Sequence, residues 1–591
     1  MKKTIKLISG ICLAAMVTVS CEQFLDTTSY TDSNTSNFPA SAEDAQQLVT
    51  GIYSAFNEDL YSNCGTNFWM YANVISDDEF GGGGADDTDI QAVDHMLYSD
   101  RNYQADYWTS CYNGIGRANM ALANLDKVDD EDLRNQLLGE AHILRAYYYF
   151  VLTQMFEEVP LVTAVPSNVG EAQQYPTVGT VDQIYSFIAA DLKKAVEIMP
   201  SKPYNACVTG KGHVTKWVAE GLLARVYMFY TGFYSDKNGS SITTLPLVDL
   251  ETGEPINETV SKDYVISALN DCIANSGHAL LKDFRQLWAY SNEETAKDYP
   301  FMDGCTDYWV KDLEGSEDMF DICCGRSHHQ ENQMLYYVGM RQGSNNKKLF
   351  PMNRGYGFGP VNPALYKEWL ESEPGDIRIM GSIYDLELEG LDPSTYEWGY
   401  DNGLEDSGLF QKKAQAYQAY VGESRTWMFE SLSSSKYYGD GKTDIGRKYN
   451  PSNLTLMRFA EILLMHSELT QTVDGINKVR VRANLEPIAS YSFEALEKER
   501  RHELAFEGLR WADMRRWGKA YCIKALNSQL GQDIHNYGKV TKMNDQGAGY
   551  EARYTATWGF RDYPESEISL SNGALKQKSG WGVEAQYTGW K

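Results

Sequence analysis

Residues 493–519 read FEALEKERRHELAFEGLRWADMRRWGK. Phe493, Leu496, Leu504, Trp511 and Met514 share one helical face, which predicts a long amphipathic helix over about 492–520. Arg500, Arg501, Arg510, Arg515 and Arg516 form the densest basic cluster of the chain, and Glu497, Glu499, Glu503, Glu507 and Asp513 are interleaved with them. Opposite charges three and four residues apart make a salt-bridged helix; a phosphate track needs a clustered basic face instead.

Helical patterning continues outward. Leu456, Phe459, Leu463 and His466 fall on one stripe, and a further helix is expected near 473–484. In the N-terminal half the pattern runs from Ser41 to about Phe233. Ala141, Leu144, Tyr148, Leu152 and Met155 step by 3, 4, 4 and 3, and Val218, Leu222, Val226, Phe229 and Phe233 by 4, 4, 3 and 4. Thr180-Val181-Asp182-Gln183 reads as a capping box. Aligning EAHILRAYYYF at 140 with EGLLARVYMFY at 220 superposes Glu140 on Glu220, Arg145 on Arg225 and Tyr147 on Tyr227. The expected fold class is therefore all-α, built of tetratricopeptide-like helix pairs.

Residues 236–450 differ: Gly and Pro punctuate short runs, and Trp288, Trp309, Trp369, Trp398 and Trp427 lie among tyrosines. This segment reads as a large irregular insert in a single unit, 41–591, whose other parts are 41–235 and 451–530, both helical, and an irregular tail, 531–591. The chain has 53 basic and 81 acidic residues, a net charge of −28, with 40 Tyr, 21 Phe and 13 Trp. That balance excludes a phosphate-rich partner such as nucleic acid, and rings with a polar tip suit half-wet surfaces.

Three lysines in Met1–Lys6 precede a mostly apolar run, Leu7–Val19, and then Ser20-Cys21. This predicts an export signal over 1–20, too short to span a bilayer comfortably. A small residue before a cysteine at the end of such a run resembles the bacterial lipoprotein box, although Thr18 stands where Leu is usual; the resemblance makes Cys21 the lipidated N-terminus. Residues 21–40, rich in Ser, Thr, Asn and Asp, read as a tether. No CxxC pair occurs, and Cys305 either pairs with Cys323 or Cys324 or stays a buried thiol.

Motifs for chemistry are sparse. Gly441-Lys442-Thr443 ends like a P-loop, but Lys436 stands where its first glycine belongs. His328-His329 lacks further ligands at metal spacing, and no GxSxG or HExxH occurs. No cofactor or metal is expected. Asp77-Asp78-Glu79-Phe80 leads into Gly81-Gly82-Gly83-Gly84 and then Asp86-Asp87-Thr88-Asp89, a loop able to approach a ligand closely. Oriented Asp, Asn or Arg groups beside an aromatic face are what a neutral sugar needs. The expected site lies between this loop and the insert, with Trp309 or Trp427 stacking on a ring, Tyr308 beside it, and Asp78 and Arg354 bonding hydroxyls.

Six blocks follow one another in a recognisable order: YNGIGRANMALANLD (112–126), GEAHILRAYYYFVLTQMFEEVPLVT (139–163), GHVTKWVAEGLLARVYMFY (212–230), LMRFAEILLMHSELT (456–470) with INKVRVRANLEPI (476–488), the opening stretch, and YPESEISLSNGALKQKSGW (563–581). Together they resemble the SusD/RagB family of outer-membrane nutrient-uptake lipoproteins of Bacteroidetes. The resemblance implies tetratricopeptide-like helix pairs with an irregular insert, no catalysis, and a place as lid on a SusC-like TonB-dependent transporter. The expected function is that of a cell-surface glycan-binding lipoprotein, lipid-anchored in the outer membrane and facing the exterior, which delivers an oligosaccharide to that transporter. Alternatives are a surface glycoside hydrolase and a protein-binding helical-repeat scaffold.

Replacing Cys21 with Ala should move the protein from the membrane fraction to the soluble one when the transporter is absent, because no other segment is apolar enough to hold it. Fractionation followed by immunoblotting checks this, and tight membrane retention of the variant would contradict it.

Overall fold

The computed structural model describes residues 38–591 apart from 59, 62–66, 102, 309–315, 324–333, 343–349, 353, 391–392, 416, 422–423 and 428–452. The signal, Cys21, the tether up to residue 37, His328-His329 and Gly441–Thr443 lie outside the described residues.

Helices dominate, each stacked on the next: α1 (Ala42–Ser54), α2 (Tyr103–Leu122), α3 (Glu131–Phe156), α4 (Val181–Ile198), α5 (Lys216–Asn238) and α6 (Lys262–Asn275). After a long excursion the stack resumes with α7 (Phe459–Thr470), which packs on α6 and α5, followed by α8 (Asp474–Arg482), α9 (Phe493–Leu504), α10 (Arg510–Arg516) and α11 (Lys519–Asn527). Helix α3 starts where Asp130 caps Leu133 N–H and is buried on every side from Gly139 to Thr153. Its stripe from Ala141 to Met155 is fully covered. Gly114 of α2 allows that packing, since a Cβ there would lie 2.2 Å from the Tyr148 ring. The capping box at Thr180 and Gln183 opens α4.

The repeat relation appears in the ion pairs. Arg145 of α3 donates to Asp191 of α4, 2.9 Å from Nε to Oδ2, and Arg225 of α5 donates to Glu461 of α7, 3.0 Å from Nε to Oε1. The aligned arginines thus each tie one helix to another, and the second pair reaches across the excursion. Helix α6 lies inside the 236–450 segment read as irregular. Glycine and proline flank it and mask its short stripe, Val265, Ala268, Leu269 and Cys272, which is buried.

Strands are short and paired in twos, all antiparallel: β1 (Thr244–Val248) with β2 (Pro255–Ser261), β3 (Asp318–Ile322) with β8 (Leu454–Arg458), β4 (Ile383–Asp385) with β5 (Leu409–Gln411), β6 (Gln418–Val421) with β7 (Ser424–Trp427), and β9 (Asp533–Asn536) with β10 (Lys539–Lys542). Leu456 sits on β8, so the stripe expected to start there begins at Phe459. Cys305 stays a buried thiol, its Sγ donating to the Asp307 carbonyl at 3.0 Å, and no disulfide joins it to Cys323; Cys324 lies outside the described residues.

The stretch 493–519 is not one helix. It breaks between Leu504 and Arg510, where Phe506 (φ 64°) and Gly508 (φ 75°) are left-handed. Phe506 leaves the helical path to enter a satellite core with Trp369, Val361 and Ile379. The backbone groups freed there are met by buried Asn73, whose Nδ2 donates to Phe506 O (3.3 Å) and whose Oδ1 accepts from Gly508 N–H (2.7 Å). Leu496, Leu504, Trp511 and Met514 are buried, whereas Phe493 is 44% exposed and packs edge-on against Trp517.

The interleaved charges do not form a solvated ladder. Glu499, Arg500, Glu503 and Arg515 are buried. Glu503 accepts from Arg458 and Arg378, each at 3.0 Å, and from Arg482. Arg458 also reaches Glu507 (2.8 Å) and Glu317 (2.6 Å), and Arg378 reaches Glu499 (2.6 Å) and Asp376 (2.8 Å). Burial pushes the Glu503 carboxyl up, but Arg482, Arg458 and Arg378 outweigh it and hold the group far below the ordinary carboxylate range.

Arg458→Ala should destabilise the protein by about 3–5 kcal/mol, because removing one partner of a buried pair leaves Glu317, Glu503 and Glu507 poorly compensated. Urea denaturation checks this, and a loss below about 1 kcal/mol would give the network no more weight than surface pairs.

Candidate functional site

The loop at 77–89 lies under the surface from Asp77 to Gly84. Asp77 Oδ1 accepts from Arg510 Nε at 2.7 Å, Asp77 Oδ2 accepts from Arg510 Nη2 at 3.0 Å and Arg501 Nη2 at 2.9 Å, and Asp78 Oδ1 accepts from Arg501 Nε at 3.0 Å. Asn362 closes the other side, its backbone and side-chain N–H groups donating to the carbonyls of Asp78 and Asp77. Burial pushes the Asp77 carboxyl up, yet Arg501 and Arg510 bring it down to about 2. Among the described residues Glu79 has no hydrogen-bond partner on either oxygen, and burial, then Asp78, push its carboxyl well above its ordinary range. Asp78 is fully buried, and the expectation that it bonds a ligand hydroxyl is replaced by its ion pair with Arg501.

The four glycines do bring the backbone close to something, and that partner is the protein. Gly82 N–H donates to Glu405 (2.7 Å) and Gly81 N–H to Asp94 (3.1 Å), while Gln91 Nε2 donates to the carbonyls of Gly82 and Gly84. Backbone bridges join Glu79 to Val361, Gly82 to Phe358 and Gly84 to Gly403. A Cβ on Gly82 (φ 69°) would sit 2.2 Å from the Gly357 carbonyl. The loop is a buckle threaded through the excursion.

Its outer end reaches the surface at Ala85 and Asp86, and half-buried Asp87 lies beside Arg341. Arg341 Nη1 donates to Asp87 Oδ2 (3.3 Å) and the Tyr356 carbonyl (3.0 Å), and Nη2 donates to Asp401 Oδ2 (3.0 Å). The Asp401 side chain is 66% exposed and Tyr356 is 39% exposed. Tyr356 lies 5.3 Å from Tyr337, ring centre to ring centre, and Tyr337 lies 5.6 Å from Phe358. An exposed tyrosine, its carbonyl bound to the Arg341 guanidinium that also holds the Asp401 carboxylate, thus brings an aromatic residue, a donor and an acceptor into one small patch, the kinds of group that complement a pyranose.

Among the residues expected at the site, Arg354 is half-buried one residue before Gly355, whose N–H donates to Met340 O at 2.7 Å and whose backbone bridges Arg341. Tyr308 is half-buried against the main core. Trp427 ends β7 opposite Gln418, the residue after Tyr417, which bridges Met352. The Trp427 side chain and all of Trp309 lie outside the described residues. Arg341, Tyr337, Tyr356 and Asp401 were missed, and the available signal was the glycine-aromatic alternation Gly355-Tyr356-Gly357-Phe358-Gly359.

Two groups of possible metal ligands occur among the described residues, Asp94 with His95 and Glu405, and Glu373 with Asp376 and His502. In the first, Asp94 and Glu405 already accept from Gly81, Tyr550 and Gly82. In the second, Arg480 and Arg378 hold the carboxylates.

A stacked-helix scaffold carrying an aromatic and ionic rim on an irregular excursion is a surface-binding architecture. Two family models match, "Starch-binding associating with outer membrane" over residues 23–228 and "SusD family" over residues 325–581. The chain belongs to the SusD/RagB family. A SusD-like protein of Formosa agariphila is 23% identical over 556 residues, covering 90% of this chain and 95% of the relative. A SusD-like protein of Bacteroides ovatus is 20% identical over 509 residues, covering 82% and 74%. Among solved structures, a laminarin-binding SusD-like protein superposes with a TM-score of 0.65 at 21% identity, covering 91% of this chain and 98% of its own. Surface glycan-binding protein A from Bacteroides thetaiotaomicron, in complex with laminarihexaose, superposes with a TM-score of 0.62 at 18% identity, covering 91% and 99%.

The Asp77 carboxyl, lowered on folding, contributes stability that is present above the unfolded carboxylate pKa and lost as pH falls toward 2. The stability difference between the wild type and Asp77→Asn should therefore shrink by about 2 kcal/mol between pH 5 and pH 2. Thermal or urea unfolding across that range checks it, and a constant difference would mean that Asp77 is not ionised beside Arg501 and Arg510.

Proposed function

We propose that this protein is a cell-surface glycan-binding lipoprotein, anchored to the outer membrane through Cys21, which captures an oligosaccharide and passes it to a SusC-like TonB-dependent transporter. The observation that carries the reading is exposed Tyr356, whose carbonyl accepts from the Arg341 guanidinium that also holds Asp401, at the seam where the 77–89 segment meets the excursion. The laminarin-binding relative and the laminarihexaose complex support a β-glucan chain as the first ligand to test. Arg354 flanks the rim on the Tyr356 segment, and Trp309, Trp427 and Tyr308 belong to the same part of the chain. Binding without turnover is the expected chemistry, and the SusD-like relatives are consistent with it.

Calorimetry with laminarihexaose tests this. The wild type should bind with modest affinity, as an open rim leaves much of the ligand wet. Tyr356→Ala should weaken binding by at least about tenfold, the scale of losing a ring contact and its neighbours, with unchanged circular dichroism and little dependence on salt. Undiminished affinity in that variant would place the site elsewhere.

A further inference from the structure

The hairpin β9–β10 turns through Tyr537 and Gly538 between paired Asn536 and Lys539. Both turn residues are left-handed, with φ of 53° and 75°. Two-residue turns of this kind favour Asn, Asp or Gly in the first place, because a bulky side chain there is strained. Tyr537 is nevertheless used, although about half of it stays open to solvent, at 52% exposed. Strain kept at a surface aromatic that is far from fully buried points to a use for the ring at that spot.

The turn is fastened where that use can be identified. Tyr537 N–H donates to Gly403 O at 2.9 Å, Glu405 N–H donates to Asn536 Oδ1 at 2.7 Å, and Asp406 and His535 exchange backbone hydrogen bonds at 3.1 and 2.7 Å. Trp398 stacks on His535 at 3.6 Å, and Gly399 and Gly538 touch so closely that a Cβ on Gly399 would lie 2.0 Å from Gly538 N. The segment gripped in this way, 398–406, carries Asp401. Gly403 is also the neighbour of Arg341, since a Cβ there would lie 3.7 Å from Arg341 Cδ. A continuous path of contacts therefore runs from Tyr356 through Arg341 and the Asp401 turn to Gly403 and Tyr537.

We infer that Tyr537 is a second aromatic subsite on the same rim, which engages the sugar units of an oligosaccharide that extend beyond those held by Tyr356, Arg341 and Asp401. The inference rests on the proposed glycan-binding reading and adds to it a preference for longer chains. A short oligosaccharide is held at the Tyr356 end alone, whereas a long one reaches both rings. The hairpin acts as a rigid bracket, so the second ring needs no ordering on binding.

Calorimetry with laminaritriose and laminarihexaose on Tyr537→Asn, Tyr537→Phe and Tyr356→Ala tests it. Asn suits a left-handed turn, so Tyr537→Asn should melt at the same temperature as the wild type or higher. Its affinity for the hexasaccharide should fall about tenfold, the equivalent of one ring contact, while its affinity for the trisaccharide stays unchanged. Tyr537→Phe should retain both affinities, and Tyr356→Ala should weaken both. If the wild type binds neither sugar, or Tyr356→Ala changes nothing, the glycan reading at this rim fails and the inference with it. If Tyr356→Ala weakens binding but Tyr537→Asn spares the hexasaccharide, or weakens both sugars equally, the second subsite alone is overturned.

Discussion

Three guanidinium groups, from Arg378, Arg458 and Arg482, converge on the buried carboxylate of Glu503, and the rest of the molecule is arranged around that contact. Burying charge is costly unless each ion is closely paired. Here the pairing comes from segments far apart in the chain: α9 supplies Glu503, α8 Arg482, β8 Arg458 and the excursion Arg378. The excursion holds little regular structure of its own, and these pairs, with Lys413 on Glu507, fasten it to the helical stack. Isolated short strands and loops could not hold a rim in place. An ionic lock that tolerates few alternative partners can.

The second fastening is the buckle at 77–84. Its acids face Arg501 and Arg510 beneath the surface, and its glycines press against Gly357, Glu405 and Asp94. The segment emerges at Ala85 and Asp86, and half-buried Asp87 next to them meets Arg341. Acidic richness therefore has two meanings in this chain. Buried acids select one arrangement of helices and excursion, whereas Asp401 pairs with Arg341 while most of its side chain stays open to solvent. The fold places the rim, but the rim's own groups decide what is bound.

Periodicity made the helices legible: the stripes of α3 and α5, the cap of α4 and the inward placing of Trp511 all follow from local spacing. What periodicity could not show is where the partner of a charge lies. Glu and Arg at intervals of three and four look the same whether they face water or meet Arg458 and Arg378 from other segments. Asp78 illustrates the difficulty, since its partner Arg501 is 423 residues away and no local rule distinguishes a buried pair from a ligand contact. The break at Phe506 was hidden for a related reason: the ring is drawn out of the helix by Trp369 and Val361, both more than a hundred positions earlier. Tyr356, Arg341 and Tyr537 sit on turns and bridges with no period at all, and the glycine-aromatic alternation at 355–359 and the unusual Tyr-Gly turn were the only marks they left.

The central claim is that the acids of the 77–79 segment are scaffold, and that sugar is held on the rim formed by Tyr356, Arg341 and Asp401. A crystal structure of the complex with laminarihexaose tests it most directly. The account requires a pyranose ring against Tyr356, with hydroxyls within hydrogen-bonding distance of Arg341 or Asp401, and Asp77 and Asp78 still paired with Arg501. A sugar seated on Asp78 or Glu79 with those pairs broken, or bound wholly on the helical stack, would contradict it.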